Sequence, residues 1–238
     1  MKRDVSIISL NEKEALVIAA DNSGGIGLKE QDYVKTAYEV VSYYGFRVAV
    51  MECMAAGGKP ISIVIHNFCD EHAWDLLLAG IEKGLEELGL KGVVSVTGST
   101  ESNFTMLQSA LGMIVLGKRE SIYVDEVSFE NRTVAVIGSP LVGDEVLEQE
   151  NDVIPLSLFH ELCELEDVVI VPVGSKGILY ELKNMLDEPS IVGDSLMCDV
   201  DVSKTAGPAT CVLIAFKPEL EPVIQEKCGY LYHSVSMC

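Results

Sequence analysis

Apolar residues in this chain come in runs of strand length, and none continues for the ~18 residues that a membrane-crossing helix needs. Runs at 5–10, 15–20, 61–65, 93–96, 106–116, 133–137, 168–173, 211–216 and 230–235 read as strands. The turn at 11–14 joins the first two as a hairpin. Between the runs lie stretches with helical spacing. Residues 31–44 place Val34, Ala37, Tyr38 and Val41 on one face, with Gly45 as the stop. Residues 71–88 do the same with Trp74, Leu77, Leu78, Ile81 and Leu85. Further helices are predicted at 48–56, 143–150, 156–162, 176–186 and 218–227, the last with proline in its first turn. Strands interleaved with helices define an α/β chain.

At 238 residues the chain is long enough for one large or two small domains. A change of composition at Gly117-Lys118-Arg119-Glu120 divides it into 1–118 and 119–238. Lys and Arg number 17 against 37 Asp and Glu, a net charge of -20. Such a surface repels a polyanion, and no basic tract offsets it, so nucleic-acid binding is excluded as an expectation. The same balance favours a metal ion over a lysine-rich pocket wherever a phosphate is bound. Met1-Lys2-Arg3-Asp4 passes straight into the first strand with no apolar signal core, and no apolar run is long enough to span a membrane. Seven cysteines form no C-x-x-C pair and no evident disulfide framework. The expectation is a cytoplasmic protein with free thiols.

Several motifs carry no chemistry. Gly112 to Lys118 fits the letters of a phosphate-binding P-loop, but its middle is Met-Ile-Val-Leu and Arg119 replaces the required hydroxyl residue, so it reads as strand. The histidines His66, His72, His160 and His233 lack zinc-ligand spacing. Three features remain. Asp21 ends a strand and precedes Asn22-Ser23-Gly24-Gly25, where a carboxylate can hold a metal and a glycine-rich turn can bring amides to an anion. Glu52 interrupts an otherwise apolar helix and needs a metal, a cation or exposure. Thr97-Gly98-Ser99-Thr100 reads as a polar turn able to contact phosphate.

In this order the features resemble the PurM-like superfamily, which includes aminoimidazole ribonucleotide synthetase, selenophosphate synthetase and thiamine-monophosphate kinase. Arg3-Asp4-Val5-Ser6-Ile7 occupies the place of the kinase's G-D-D-A-A-V, and Asp21 that of its next aspartate. Glu52-Cys53-Met54-Ala55-Ala56-Gly57-Gly58-Lys59-Pro60 is similar to D-I-A-A-M-G-A-x-P, with Glu for Asp. Val173-Gly174-Ser175-Lys176-Gly177-Ile178 resembles D-I-S-D-G-L, and Ser99 and Lys176 stand where the kinase has aspartates. Among the branches the chain looks most like the short α-ribazole kinases of cobalamin lower-ligand salvage. The resemblance implies two α/β halves with mixed or antiparallel sheets covered by helices. The N-terminal half would bind ATP and pair in a homodimer, and the C-terminal half would be shortened. Asp4, Asp21 and Glu52 would hold magnesium, Asn22, Ser23, Gly24 and Thr100 would contact ATP, and Lys176 would act on the transferred phosphate. The implied activity is phosphorylation of a small molecule, α-ribazole to its 5′-phosphate. The alternatives are another PurM-like activity, such as phosphorylation of thiamine monophosphate, or a nucleotide-binding homodimer without turnover.

Overall fold

The computed structural model describes residues 4–120 and 129–237, which form two compact units, one on each side of the segment between them. The first unit opens with the expected hairpin: β1 (Val5–Ser9) pairs antiparallel with β2 (Glu14–Gly24), Ser9 facing Ala15. Its turn is closed by the Asn11 carboxamide oxygen, which accepts the Lys13 and Glu14 N–H groups. Two short strands follow, β3 (Ile26–Gly27) and β4 (Val34–Lys35), then α1 (Tyr38–Ala55), β5 (Lys59–Asn67), α2 (Trp74–Glu87), β6 (Ser95–Thr100) and β7 (Ala110–Glu120). The five long strands form one sheet in the order β1-β2-β7-β5-β6, antiparallel except for the β5–β6 pair.

The sequence-based element boundaries fail here at three places, each for a physical reason. Residues 31–44 and 48–56 are not two helices: one helix runs from Tyr38 to Ala55, and Gly45 lies buried inside it. Its buried Phe46, Ala49, Val50 and Cys53 face the rest of the unit, and that packing outweighs the ~1 kcal/mol helix penalty of a glycine. The segment before Tyr38 cannot be helical, because the Tyr33 and Val34 N–H groups both donate to Gly25 O. Residues 21–24 and 97–100 are not turns but the ends of β2 and β6, their backbones engaged in the ladders with β7 and β5. The composition change at 117–120 falls within β7.

Strand alternation gives the first sheet two unlike faces. Ala15, Val17 and Ala19 of β2, Met113 and Val115 of β7 and Ile63 and Ile65 of β5 are buried on the side of α1 and α2. At Gly80 the two helices approach closely: a β-carbon there would lie 2.1 Å from Glu39 O. Leu16 and Ile18, Ile114 and Leu116, and Val64 point to the opposite face and stay half-buried, with Ile8 of β1 49% exposed beside them.

The second unit contains β8 (Thr133–Ile137), α3 (Glu145–Glu148), α4 (Leu156–Cys163), β9 (Val169–Pro172), α5 (Gly177–Leu186), β10 (Leu196–Met197), β11 (Val212–Phe216), α6 (Glu221–Cys228) and β12 (Tyr232–Met237). Its antiparallel sheet has the order β10-β12-β8-β11-β9. All of β11 and β9 is buried. Ile178, Leu182 and Met185 of α5 join Val136, Val171, Leu213 and Ala215 in one core cluster. Val212, Ile214 and Phe216 are fully buried on the other face, and α4 touches β9 and α6. Among the described residues no helix is long and apolar enough to cross a membrane.

Candidate functional site

The sequence candidates of the first unit lie at one end of its sheet, and β2 sorts them by face. Asp21 and Ser23 have the parity of the buried Val17 and Ala19, so they point toward α1. Asn22 and Gly24 point to the opposite face and are exposed. One phosphate group therefore cannot meet the Ser23 and Asn22 side chains together. Nor do residues 21–24 form an amide-lined cradle, since they pair with Ala110 to Met113 of β7. Thr100 shares Ser23's face, in the cross-strand row Ser23, Leu111, Asn67, Thr100. Three strand spacings, roughly 14 Å, separate the two, and the Thr100 hydroxyl already accepts Asn67 Nδ2–H at 3.1 Å.

Asp21 is the most perturbed carboxylate of this end. Its Oδ2 would lie 3.8 Å from a β-carbon on Gly45, so the carboxylate rests where α1 has no side chain. Burial pushes its pKa up to about 6, against the pull of the Asn22 backbone N–H. Two positions on, Ser23 Oγ is buried without a hydrogen-bond partner among the described residues. A raised carboxylate beside an orphaned hydroxyl is the environment that a cation or a ligand donor would relieve.

Glu52 and Asp4 are placed apart from this pair. Glu52 sits two helical turns, roughly 10 Å, beyond Gly45 on α1. Asp4 immediately precedes the Val5–Ala19 pair of the hairpin and is exposed, so the register sets it beside the Ala20 level of β2. Among the described residues no group of three or more His, Cys, Asp or Glu is arranged to hold a metal ion. The Asp21–Ser23 pair fits a single divalent cation with oxygens from a bound ligand completing its shell. It does not fit a cage of three carboxylates. Cys53, next to Glu52, is inert: burial pushes its thiol to about 12.

Sequence reasoning missed the polar latch that orders this end. Lys29 Nζ donates to Phe68 O, to Met106 O and to Asp70 Oδ1, at 3.0, 3.1 and 3.1 Å, tying three loops together. Asp32 is buried and accepts the Ser109 N–H and Oγ–H, both at 2.7 Å, and the Lys29 N–H at 2.8 Å. These bonds, with the Lys35 charge, hold its carboxyl below the usual range despite burial. Asp70 adopts φ +80° and ψ 165°, a region disfavoured for residues with a side chain, and Asn67 Nδ2 holds its carbonyl at 2.9 Å. An open depression beside it is lined by Asp70, Glu71, His72 and Ser102. The partners are far apart in the chain, and no local spacing signals them.

In the second unit Lys176 is exposed immediately before α5. Its Nζ donates to Tyr180 Oη at 3.0 Å and lies 4.3 Å from the ring centroid. This ammonium draws the Tyr180 hydroxyl below its usual range. The loop before the helix is tight: Gly177 has φ +80°, and a β-carbon there would lie 2.6 Å from Lys204 O. Thr205 Oγ1 donates to Ser175 O at 2.6 Å.

No family model and no curated protein matches the chain. Solved structures do. PurL of Thermotoga maritima in complex with ADP aligns at 12% identity over 100% of this chain and 42% of that one, with a TM-score of 0.60. The protein tt0281 of Thermus thermophilus aligns at 11% identity over 99% of this chain and 87% of its own, with a TM-score of 0.62. A chain of the HypE–HypF complex aligns at 14% identity over 99% and 88%, with a TM-score of 0.61. The chain thus spans less than half the length of PurL, 42%, and nearly the whole of the other two. Its two units, each a sheet covered by helices, have the PurM-like fold.

Proposed function

We propose that the chain binds ATP as a magnesium complex and transfers the γ-phosphoryl group to a hydroxyl of a small molecule, the 5′-hydroxyl of α-ribazole. The observation that carries this reading is the Asp21–Ser23 pair, a perturbed carboxylate and an unsatisfied buried hydroxyl on one face of a strand end. It occurs on a fold shared with PurL, which has been solved in complexes with ADP, ATP and AMPPCP. Asp21, joined by the Ser23 hydroxyl, is the proposed magnesium site. Asp4, level with Ala20, and Glu52, two helical turns from Gly45, stand apart from it. Bound magnesium would screen the phosphates from a chain of net charge -20.

Transfer breaks the bond between the γ-phosphorus and the β,γ-bridging oxygen, which leaves with ADP, and forms one to the acceptor oxygen, whose proton passes to solvent. Such a reaction needs alignment and compensating positive charge more than covalent help. Lys176 is the proposed source of that charge, its exposed ammonium now donating to Tyr180 Oη. The half-buried apolar face of the first sheet, around Ile18, Ile114 and Leu116, is the proposed homodimer contact. A second reading, nucleotide binding without turnover, is favoured by Ser99 and Lys176, which stand where the resembled kinase has aspartates.

Incubation of the full chain with ATP, magnesium and α-ribazole should yield the monophosphate by mass spectrometry. Phosphorylation of thiamine monophosphate or another acceptor instead removes the α-ribazole assignment alone. ATP binding with no acceptor phosphorylated favours the second reading.

A further inference from the structure

Ten residues past Ser23 the chain presents an aromatic ring that folding leaves almost bare. Tyr33 is 89% exposed, yet its backbone is fixed. Tyr33 N–H donates to Gly25 O at 2.8 Å, and the following Val34 N–H donates to the same oxygen at 3.2 Å. Gly25 N–H in turn donates to Ser109 O at 2.8 Å. The preceding Asp32 is the buried carboxylate that grips Ser109 and Lys29 N–H.

The ring rests against Gly25. A β-carbon built there would lie 3.1 Å from Tyr33 Cδ2 and 3.7 Å from Cε2, and Gly25 has φ +69°. A side chain at position 25 would strain the backbone and displace the ring. Gln108 Nε2 lies 3.4 Å from the same point and donates to Gln31 O at 2.8 Å, bracing the loop from the other side. The result is a pinned shelf, one part lodged on bare backbone and the rest open to solvent, its glycine two residues beyond Ser23.

We infer that Tyr33 is the platform on which the purine base of the nucleotide stacks, an inference that rests on the ATP reading above. A base is flat, uncharged and bound through its π-face. It can therefore add affinity on an acidic surface that has few cations to spare for phosphate. Stacking is favoured when the ring is presented beforehand, and the Gly25, Asp32 and Gln108 contacts fix the backbone that carries it.

Calorimetry on the full chain separates base from phosphate when magnesium-ATP and magnesium-tripolyphosphate are compared. Tyr33→Ala should weaken ATP binding about ten-fold and leave tripolyphosphate unchanged. Tyr33→Phe, which keeps the ring, should bind both within about two-fold of wild type. Equal ATP affinity in wild type and Tyr33→Ala overturns the platform while leaving the ATP reading intact. An equal loss for both ligands overturns it too, because Tyr33 would then support phosphate or the loop. A change of solution mass in Tyr33→Ala with unaltered ATP affinity makes the ring a protein contact and also overturns it. If the wild type does not bind ATP, both readings fall.

Discussion

The two sheets are similar in strand number and unlike in what folding leaves undone. In the second unit β11 has no exposed residue, and both of its faces are used up in cores. In the first unit one face is packed under α1 and α2, while Ile8, Leu16, Ile18, Val64, Ile114 and Leu116 stay partly open. The first sheet also ends in a carboxylate that burial perturbs, Asp21, and in a buried hydroxyl without a hydrogen-bond partner among the described residues, Ser23. Burial without compensation costs free energy. The difference therefore separates the two: the central strands of the second sheet are covered on both faces by their own chain, and the first sheet leaves one face and one strand end open to an added partner.

The largest effect should come from the open face. If it pairs two copies, the wild type has a light-scattering mass of twice 25.8 kDa. Ile114→Lys, at the centre of that face, should reduce it to 25.8 kDa, because an unpaired ammonium buried in an apolar contact costs several kcal/mol. A wild type already at the single-chain mass at micromolar concentration would remove the homodimer.

A smaller effect is expected at Asp21. Its folded pKa of about 6 stands above the ordinary aspartate value of 3.8. The protonated form therefore stabilises the ligand-free fold below pH ~4, and that contribution is lost as pH rises through about 6. Asp21→Asn should be more stable than wild type at pH 7.5 by on the order of 2 kcal/mol, with the gap closing toward pH 4. A shift of that size raises Tm by roughly 5 °C. Magnesium-ATP should reverse the order, stabilising wild type and not the variant, and its affinity for wild type should fall as pH drops from 7 to 5. A pH-independent difference would mean that the carboxylate is not confined as described.

Much of the fold was legible because it is written in local period. The hairpin at 5–20, the helix over 71–88 and the buried strands near 133–137, 169–172 and 212–216 follow from alternation, helical spacing and apolar runs. What failed depended on distant partners. Gly45 looks like a helix stop until Asp21 and Met113 are seen beneath it. Asn22-Ser23-Gly24 looks like a turn until β7, some ninety residues later, claims its backbone. The site suffered most from this. Residue type points to Asp21, Ser23, Thr100 and Glu52 alike, but only Asp21 and Ser23 are neighbours on one face of β2; Thr100 lies three strands away and Glu52 two turns along α1. Lys29, Asp32 and Tyr33 gave no sequence signal, because each acquires its role from a loop distant in the chain or from a glycine's missing side chain.

The smallest structural effect, and the sharpest test of the contrast, belongs to Lys176. The second unit is closed by its own core, so a residue on its surface should matter for chemistry or not at all. Lys176 is exposed and leans on the ring and hydroxyl of Tyr180, one helical turn away. Contacts of this kind on a surface contribute little, so Lys176→Ala should change unfolding stability by less than about 0.5 kcal/mol. A cation that meets the transferring phosphate is another matter, because charge grows there as the bond to ADP lengthens. Turnover of Lys176→Ala should then fall at least ten-fold while ATP affinity changes far less, and Lys176→Arg should recover part of the rate. Tyr180→Phe provides the control: it removes the hydroxyl contact, keeps the ammonium, and should leave turnover near wild type. If Lys176→Ala turns over as fast as wild type, Lys176 is a surface residue of a finished unit, and the phosphate must draw its positive charge from the first unit and its bound metal alone.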